Sequence, residues 1–228
     1  GDDRDDRVHD PPLTDVGHQQ AQILADYLKS GANLESIVTS ATDDEKRATP
    51  APYAFTHLYC SAMHRALQTS KPISDALNVM PEIWLDIHEI GGIFLEMDGV
   101  ATGYGGYTRA QVEGEFPGYK MPDTMTTDGW YDTAQGEEAR INGLARALQV
   151  TDALKKRAAK DEHSGDRVAL VSHGGFLDKV LKAFVERLPG DRYFQWLYNT
   201  SISRVDIGMD GFVVVRYVNR IGHLPPAL

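Results

Sequence analysis

Two residues whose side chains bind anions well follow predicted strands at separate places in the chain. Arg65 lies one turn into a predicted helix, and His173 follows the apolar run Val168–Val171 after one serine. A guanidinium donates paired hydrogen bonds to phosphate oxygens, and an imidazolium adds charge and further hydrogen bonds. The amides of Gly174 and Gly175 open a predicted helix, where the helix dipole favours an anion. Together these groups predict a phosphate pocket.

Neither side chain carries this hypothesis alone. An arginine early in a helix is most often a surface residue, and a histidine at a strand end is a cap about as often as a catalytic group. The hypothesis therefore depends on whether both residues reach the same edge of one sheet.

The elements around these two residues alternate between strand and helix. Residues 57–60 and 168–171 are short runs typical of buried strands. Ser61 is predicted to cap a helix that continues to Leu77, and another helix follows the second strand. This alternation predicts an α/β fold, a doubly wound and mostly parallel sheet flanked by helices, with active residues at the carboxyl edge.

The rest of the chain supplies further elements of this fold. Thr14 and Gly31 have the residue types that begin and end a helix. A solvated loop is predicted over Ala41–Phe55, and an excursion over a pocket is predicted from Gly91 to Tyr131, with one helix from Thr108 to Glu115. An amphipathic helix is predicted from Glu137 to Ala159, and its apolar positions include Ile141, Leu144, Leu148 and Leu154. The last element is a predicted hairpin of Ile202–Ile207 and Phe212–Val218 that turns at Asp210-Gly211.

Composition limits the function classes. The 228 residues are 42% apolar and 25% charged, which predicts one sizeable core and a single domain over residues 1–228. The net charge of −10 argues against binding to nucleic acid or to an anionic membrane surface. No apolar run is long enough to span a bilayer, so a soluble protein is expected. The single cysteine, Cys60, fits a reducing compartment and predicts a cytoplasmic location.

Four strings along the chain resemble motifs of the histidine phosphatase (phosphoglycerate-mutase-like) superfamily, in the order of that family. They resemble the signature after its first catalytic loop, its second-arginine helix, its second-histidine strand and a common C-terminal ending. In this chain the strings are DPPLTDVGHQQA at 10–21, SAMHRALQT at 61–69, VALVSHG at 168–174 and NRIGHL at 219–224.

The resemblance implies a phosphomonoester hydrolase that acts through a phosphohistidine. In that family a histidine attacks phosphorus, and an acid protonates the leaving oxygen. By resemblance Arg65 and His173 are the catalytic pair that binds the phosphoryl group, and Glu89 is the catalytic acid, with Asp86 as the second candidate. The Gly174 amide, at the start of the predicted helix, joins them as a phosphate-binding group. A mutase is the alternative enzyme, although the segment from Gly91 to Tyr131 resembles that of phosphatase members more.

This sequence departs from the family at the nucleophile. It contains no Arg-His-Gly tripeptide, which the family carries shortly before the position of Asp10, on the first strand of the sheet. His9 is not a substitute, because it precedes Asp10 in a loop and does not follow a strand. We expect the nucleophilic histidine to lie in an N-terminal segment upstream of these residues. The other interpretation is a protein that binds phosphorylated ligands without turnover.

A metal-dependent hydrolase is a third class. His88, Glu89, His173 and Asp10 are residue types that bind divalent metals, but they show no paired histidine spacing. We therefore predict no metal and no cofactor. The expected partner is a small-molecule phosphate ester, and the oligomeric state is left open.

Overall fold

The structure is a computed structural model that describes residues 8–31, 53–189 and 192–226. Its helices are α1 (Asp15–Ser30), α2 (His64–Leu77), α3 (Arg109–Glu115), α4 (Arg140–Ala158) and α5 (Gly174–Phe184). Its strands are β1 (His57–Cys60), β2 (Pro81–Ile83), β3 (Phe94–Met97), β4 (Val100–Gly103), β5 (Val168–Val171), β6 (Ile202–Ile207) and β7 (Val213–Arg220). Single 3-10 turns cover Leu85–Ile87, Thr133–Gln135 and Asp161–His163.

A three-stranded parallel sheet in the order β2-β1-β5 lies at the centre. Because β1 pairs in parallel with both neighbours, Cys60, Ile83 and Val171 end their strands side by side. The segments that carry Arg65, Glu89 and His173 therefore leave one edge of the sheet. The predicted α/β class, with a parallel sheet flanked by helices, is confirmed.

Helices cover both faces of this sheet. Leu58 of β1 packs with residues of α1 and α2 on one face. On the other face Tyr59 and Leu170 pack against buried residues of α4 and α5. Successive side chains of each strand therefore pack against helices on opposite faces of the sheet, which is why the strands are apolar on both sides.

Strand β5 is less buried than its sequence predicts. All four of its residues are only partly buried. Among the described residues β5 pairs with β1 alone, and β6 and β7 form a separate antiparallel pair. One long edge of β5 is therefore unpaired in the described part of the chain, although Ala169 and Val171 still share an apolar cluster with Ile202 of β6.

Several predicted boundaries are confirmed. Thr14 caps α1 by accepting the Gly17 amide at 3.2 Å, and Gly31 ends α1 in the left-handed conformation, with φ 62°. The hairpin turns at Asp210-Gly211, where φ of Gly211 is 81° and the Asp210 carboxylate accepts the Phe212 amide at 3.0 Å.

Other predictions about the elements were wrong. Ile141 and Leu148 of α4 are 66% and 51% exposed, because the buried face runs through Leu144, Ala147 and Val150. The loop predicted over Ala41–Phe55 lies mostly outside the described residues. Its end was misjudged as solvated, since Tyr53 is buried against α1, β1 and α2.

The excursion from Gly91 to Tyr131 contains more structure than predicted. Helix α3 is present, and Thr108 caps it in a capping box with Gln111. The antiparallel hairpin β3–β4 was not predicted. No helix among the described residues is long and apolar enough to cross a membrane.

Candidate active site

His173 lies at the end of β5, directly before α5, and is 7% exposed. Its Nε2 atom is 2.8 Å from the hydroxyl oxygen of Ser61. Burial holds the pKa of His173 well below its ordinary value, and the nearby charge of Arg65 lowers it further. The imidazole is therefore neutral near pH 7 when the pocket holds no anion.

Ser61 does not cap α2 as predicted. The helix begins later, at His64, and the Ser61 hydroxyl accepts the Met63 amide at 3.2 Å while it contacts His173. The carboxylate of Asp10 replaces it, with both oxygens 3.1 Å from the amide nitrogen of His64. Burial raises the pKa of Asp10, although that hydrogen bond and the charge of Arg65 oppose the rise. The segment before α1 is thereby attached beside the site.

Arg65 is half-buried in the first turn of α2. Its guanidinium forms no hydrogen bond or ion pair with any residue that the structure describes. Its charge nevertheless lowers the pKa of both His173 and Asp10, so all three groups share one electrostatic environment. The predicted pair of Arg65 and His173 is brought together at one edge of the sheet.

The N-terminus of α5 is partly occupied by Glu89. Its Oε1 accepts the Phe176 amide at 2.7 Å and the Ile90 amide at 2.8 Å, and its Oε2 accepts the Gly175 amide at 3.1 Å. The expectation that the Gly175 amide binds phosphate is therefore wrong, because a carboxylate already holds it. Within the described ranges the Gly174 amide donates to no protein group, so it is open to an anion.

The contact between the Glu89 carboxylate and the start of α5 requires a glycine at position 175. A Cβ atom at that position would lie 2.7 Å from Oε1 of Glu89, whereas one at Gly174 would meet nothing closer than 3.5 Å. The second glycine of the pair therefore allows the carboxylate to approach the helix.

The two candidate acids face different surroundings. Asp86 is exposed, and its carboxylate accepts the indole N–H of Trp84 at 3.2 Å. With Tyr59 and Arg157 it lines a separate cavity of about 530 Å³. Only Glu89 contacts the helix that begins after His173.

A buried ion pair lies behind Glu89. Arg146 of α4 donates Nε and Nη2 to the two oxygens of Glu138, both at 2.6 Å. His88 lies beside them, 7% exposed, with Nε2 3.8 Å from Glu138. Burial and the charge of Arg146 lower the pKa of His88 to about 4. The sequence analysis did not identify Arg146 and Glu138. The position of Arg146 on the apolar face of α4 was the signal that could have indicated a buried ion pair.

Aromatic side chains of the segment from Gly91 to Tyr131 pack against three histidines. Tyr104 stacks on His9 with ring centroids 4.3 Å apart. Tyr107 packs on His64 at 4.3 Å, and Trp130 lies 5.1 Å from His88. Over the described ranges no three histidine, cysteine or acidic side chains are arranged to hold a metal ion.

Most of the chain matches a known protein family. The family model of the histidine phosphatase superfamily (branch 1) matches residues 47–220. No curated protein sequence matches the chain.

Solved structures resemble the fold at low sequence identity. Ecdysone phosphate phosphatase from Bombix mori is 16% identical, with a TM-score of 0.61, over 97% of this chain and 75% of that one. Mycobacterial glucosyl-3-phosphoglycerate phosphatase is 16% identical, with a TM-score of 0.54, over 92% and 89%. A phosphoserine phosphatase mutant from Entamoeba histolytica is 21% identical, with a TM-score of 0.53, over 95% and 88%.

Proposed function

We propose that this chain, which belongs to the histidine phosphatase superfamily, hydrolyses phosphate monoesters of small molecules through a phosphohistidine intermediate. The observation that carries the proposal is that three groups lie at one edge of the sheet, on two strand–helix junctions: the guanidinium of Arg65, which is open among the described residues, the buried ring of His173 and the open amide of Gly174. We refer to these three groups as the anion-binding face. Glu89 adjoins this face through the same helix.

The phosphoryl group is bound by these three donors. Arg65 offers two parallel N–H groups to phosphate oxygens, and Gly174 offers an amide at a helix N-terminus. His173 is neutral without ligand, and a phosphate dianion beside it favours uptake of a proton. These groups stabilise the negative charge on the oxygens while the phosphoryl group is transferred.

Glu89 donates the proton to the leaving oxygen. Among the described residues Oε1 accepts two amides and Oε2 accepts one, so Oε2 retains a lone pair that can carry the proton. After the alcohol leaves, the carboxylate accepts a proton from the water that attacks the phosphohistidine. Asp86 is disfavoured for this role because its carboxylate is bonded to Trp84 on the other side of the turn.

The nucleophile of this mechanism is a histidine that faces Arg65 across the anion-binding face. We infer that it is carried by a strand along the edge of β5 that is unpaired among the described residues, because a parallel strand there would cover the half-buried residues of β5. Such a strand would end at the same sheet edge as His173.

The names of the structural neighbours support the proposed substrate class. They are named for ecdysone phosphate, glucosyl-3-phosphoglycerate and phosphoserine, all small phosphate esters with different leaving groups. Tyr104 on His9 and Tyr107 on His64 are the aromatic groups that we propose to contact the leaving group. The cytoplasmic location stays a prediction that rests on the single buried cysteine.

The test is phosphate release from 4-nitrophenyl phosphate by the full-length protein at mildly acidic pH, with a chelator present. We expect turnover without metal, inhibition by vanadate, and an acid-labile phosphoenzyme on rapid quenching. Vanadate binding without any turnover would contradict hydrolysis and support a phospho-ligand-binding protein. Transfer of the phosphoryl group to an added alcohol, in place of water, would support a mutase.

A further inference from the structure

Arg146 binds the backbone just before Glu89. Its Nη1 atom donates to the carbonyl oxygen of Asp86 at 2.6 Å and to that of His88 at 3.1 Å. Its Nε and Nη2 atoms each donate to Glu138, so the guanidinium has little freedom to turn. The pair is 9% and 5% exposed, and it connects the start of α4 to the turn that carries Glu89.

This turn comprises residues 85–88, and its other two carbonyls, those of Leu85 and Ile87, also accept hydrogen bonds from side chains. Nδ1 of His88 lies 2.6 Å from the Leu85 oxygen, and the hydroxyl of Ser172 donates to the Ile87 oxygen at 2.6 Å. Ser172 directly precedes His173, so the turn is attached to the anion-binding face as well as to α4. Four consecutive carbonyls, those of residues 85–88, thus accept side-chain hydrogen bonds.

The same arginine also supports the helix that receives Glu89. Its guanidinium carbon lies 4.7 Å from the centre of the Phe176 ring, and the amide of Phe176 donates to Glu89. Arg146 therefore contacts both the backbone before Glu89 and the residue that binds its carboxylate. An apolar residue could fill this volume, but it could not hold the two carbonyls.

We propose that Arg146, oriented by Glu138, is a positioning residue that fixes Glu89 at the distance and direction needed for proton transfer. The proposal rests on the proposed function, since it gives Glu89 the role of acid. Arg146 reaches neither the phosphate nor the leaving oxygen in this arrangement. It acts through the turn and through Phe176.

The test compares three variants of the full-length protein. Arg146→Lys keeps the charge but loses the planar fork that reaches two carbonyls. Arg146→Met combined with Glu138→Leu removes both charges together, which preserves folding better than the loss of one partner. The control is Arg157→Lys, on the same helix, since Arg157 pairs with Asp166 at 2.6 Å and does not contact the turn.

The first readout is the ratio of kcat on an alkyl phosphate to kcat on 4-nitrophenyl phosphate. A good leaving group needs little acid catalysis, so displacement of Glu89 should lower this ratio, by about 10²-fold for a shift near 1 Å. We expect the loss in Arg146→Lys and in the double variant, with unchanged vanadate affinity. Arg157→Lys should keep the wild-type ratio.

The second readout does not depend on activity. The amide resonances of Gly175 and Phe176 report their hydrogen bonds to Glu89, and we expect both to shift in the two Arg146 variants. Unchanged amides together with an unchanged ratio would overturn the proposal. Shifted amides with an unchanged ratio would sustain the hold of Arg146 on Glu89, but they would refute the acid role of Glu89 in the proposed function.

Discussion

Arg65 and Arg146 lie near the same histidine and are used in opposite ways. Both charges lower the pKa of His173. Arg146 donates four hydrogen bonds, to Glu138, Asp86 and His88. Arg65 donates none to the described residues, although it is half-buried.

Arg146 already donates four hydrogen bonds to the protein, which leaves at most one N–H group for a ligand, so its main contribution is to structure. Arg65 is half-buried, and its guanidinium has no hydrogen-bond partner among the described residues, so an anion would supply the hydrogen bonds that it has lost on leaving bulk water. The difference between the two assigns phosphate binding to Arg65 and the support of Glu89 to Arg146.

The largest expected effect comes from Arg65→Ala in the full-length protein. Loss of two charge-assisted hydrogen bonds, each about 1.5–3 kcal/mol, should weaken vanadate binding by roughly 10²–10⁴-fold. The midpoint of thermal unfolding should change little, because Arg65 has no protein partner to leave unpaired in the described structure. Inhibition by vanadate measures the affinity. An unchanged inhibition constant would show that Arg65 points away from the phosphate.

Glu138→Gln should show the opposite profile. Removal of one charge from a buried ion pair leaves Arg146 uncompensated, and this should lower the free energy of unfolding by about 3–5 kcal/mol. Vanadate affinity of the remaining folded protein should be unchanged. Chemical denaturation gives the free energy, with Glu137→Gln as the matched control, since Glu137 is its exposed neighbour. Equal stability of the two variants would refute the structural role of the pair.

His88 should make the protein sensitive to acid. Its pKa is about 4 in the fold and near 6.5 when unfolded, so the unfolded chain binds the proton first as the pH falls. The stability linked to this group is complete above pH 6.5 and declines toward pH 4, by about 3 kcal/mol. His88→Asn, which retains a donor for the Leu85 carbonyl, should flatten that decline. Denaturation across this pH range should show no such flattening in His18→Asn, an exposed control.

The smallest effect is expected from Gly175→Ala. The new methyl group would meet Oε1 of Glu89 at 2.7 Å, and the carboxylate, as the end of a flexible side chain, would move away. We expect about a tenfold loss of kcat on alkyl phosphates with folding preserved. Gly174→Ala retains its amide and meets only ordinary contacts, so its kcat should stay closer to wild type. Equal losses in both variants would contradict the specific role of the Glu89 contact.

Local signals in the sequence were enough for much of the fold. Thr14 and Gly31 predicted the ends of α1 because their side chain and backbone act on adjacent residues. The apolar runs of β1 and β5, each followed by a helix, predicted the sheet edge where Arg65 and His173 meet. The strings around Arg65 and His173 resemble histidine phosphatase motifs, and that resemblance predicted the proposed function.

Contacts between distant segments explain what sequence reasoning missed. The first amide of α2 is bound by Asp10, so the nearer Ser61 was free to contact His173, and no local rule reveals that exchange. The pairing of Arg146 with the backbone before Glu89 joins parts of the chain that only the fold brings together. The use of the Gly175 amide by Glu89 was hidden for the same reason.

The most direct test of these assignments is an NMR titration of the full-length protein with vanadate. We expect large shifts for the Gly174 amide and for the side-chain Nε resonance of Arg65. We expect small shifts for the Gly175 amide and for Nε of Arg146, which already donate to Glu89 and Glu138. Shifts at Gly175 and Arg146 that equal or exceed those at Gly174 and Arg65 would contradict the division of roles between the two arginines.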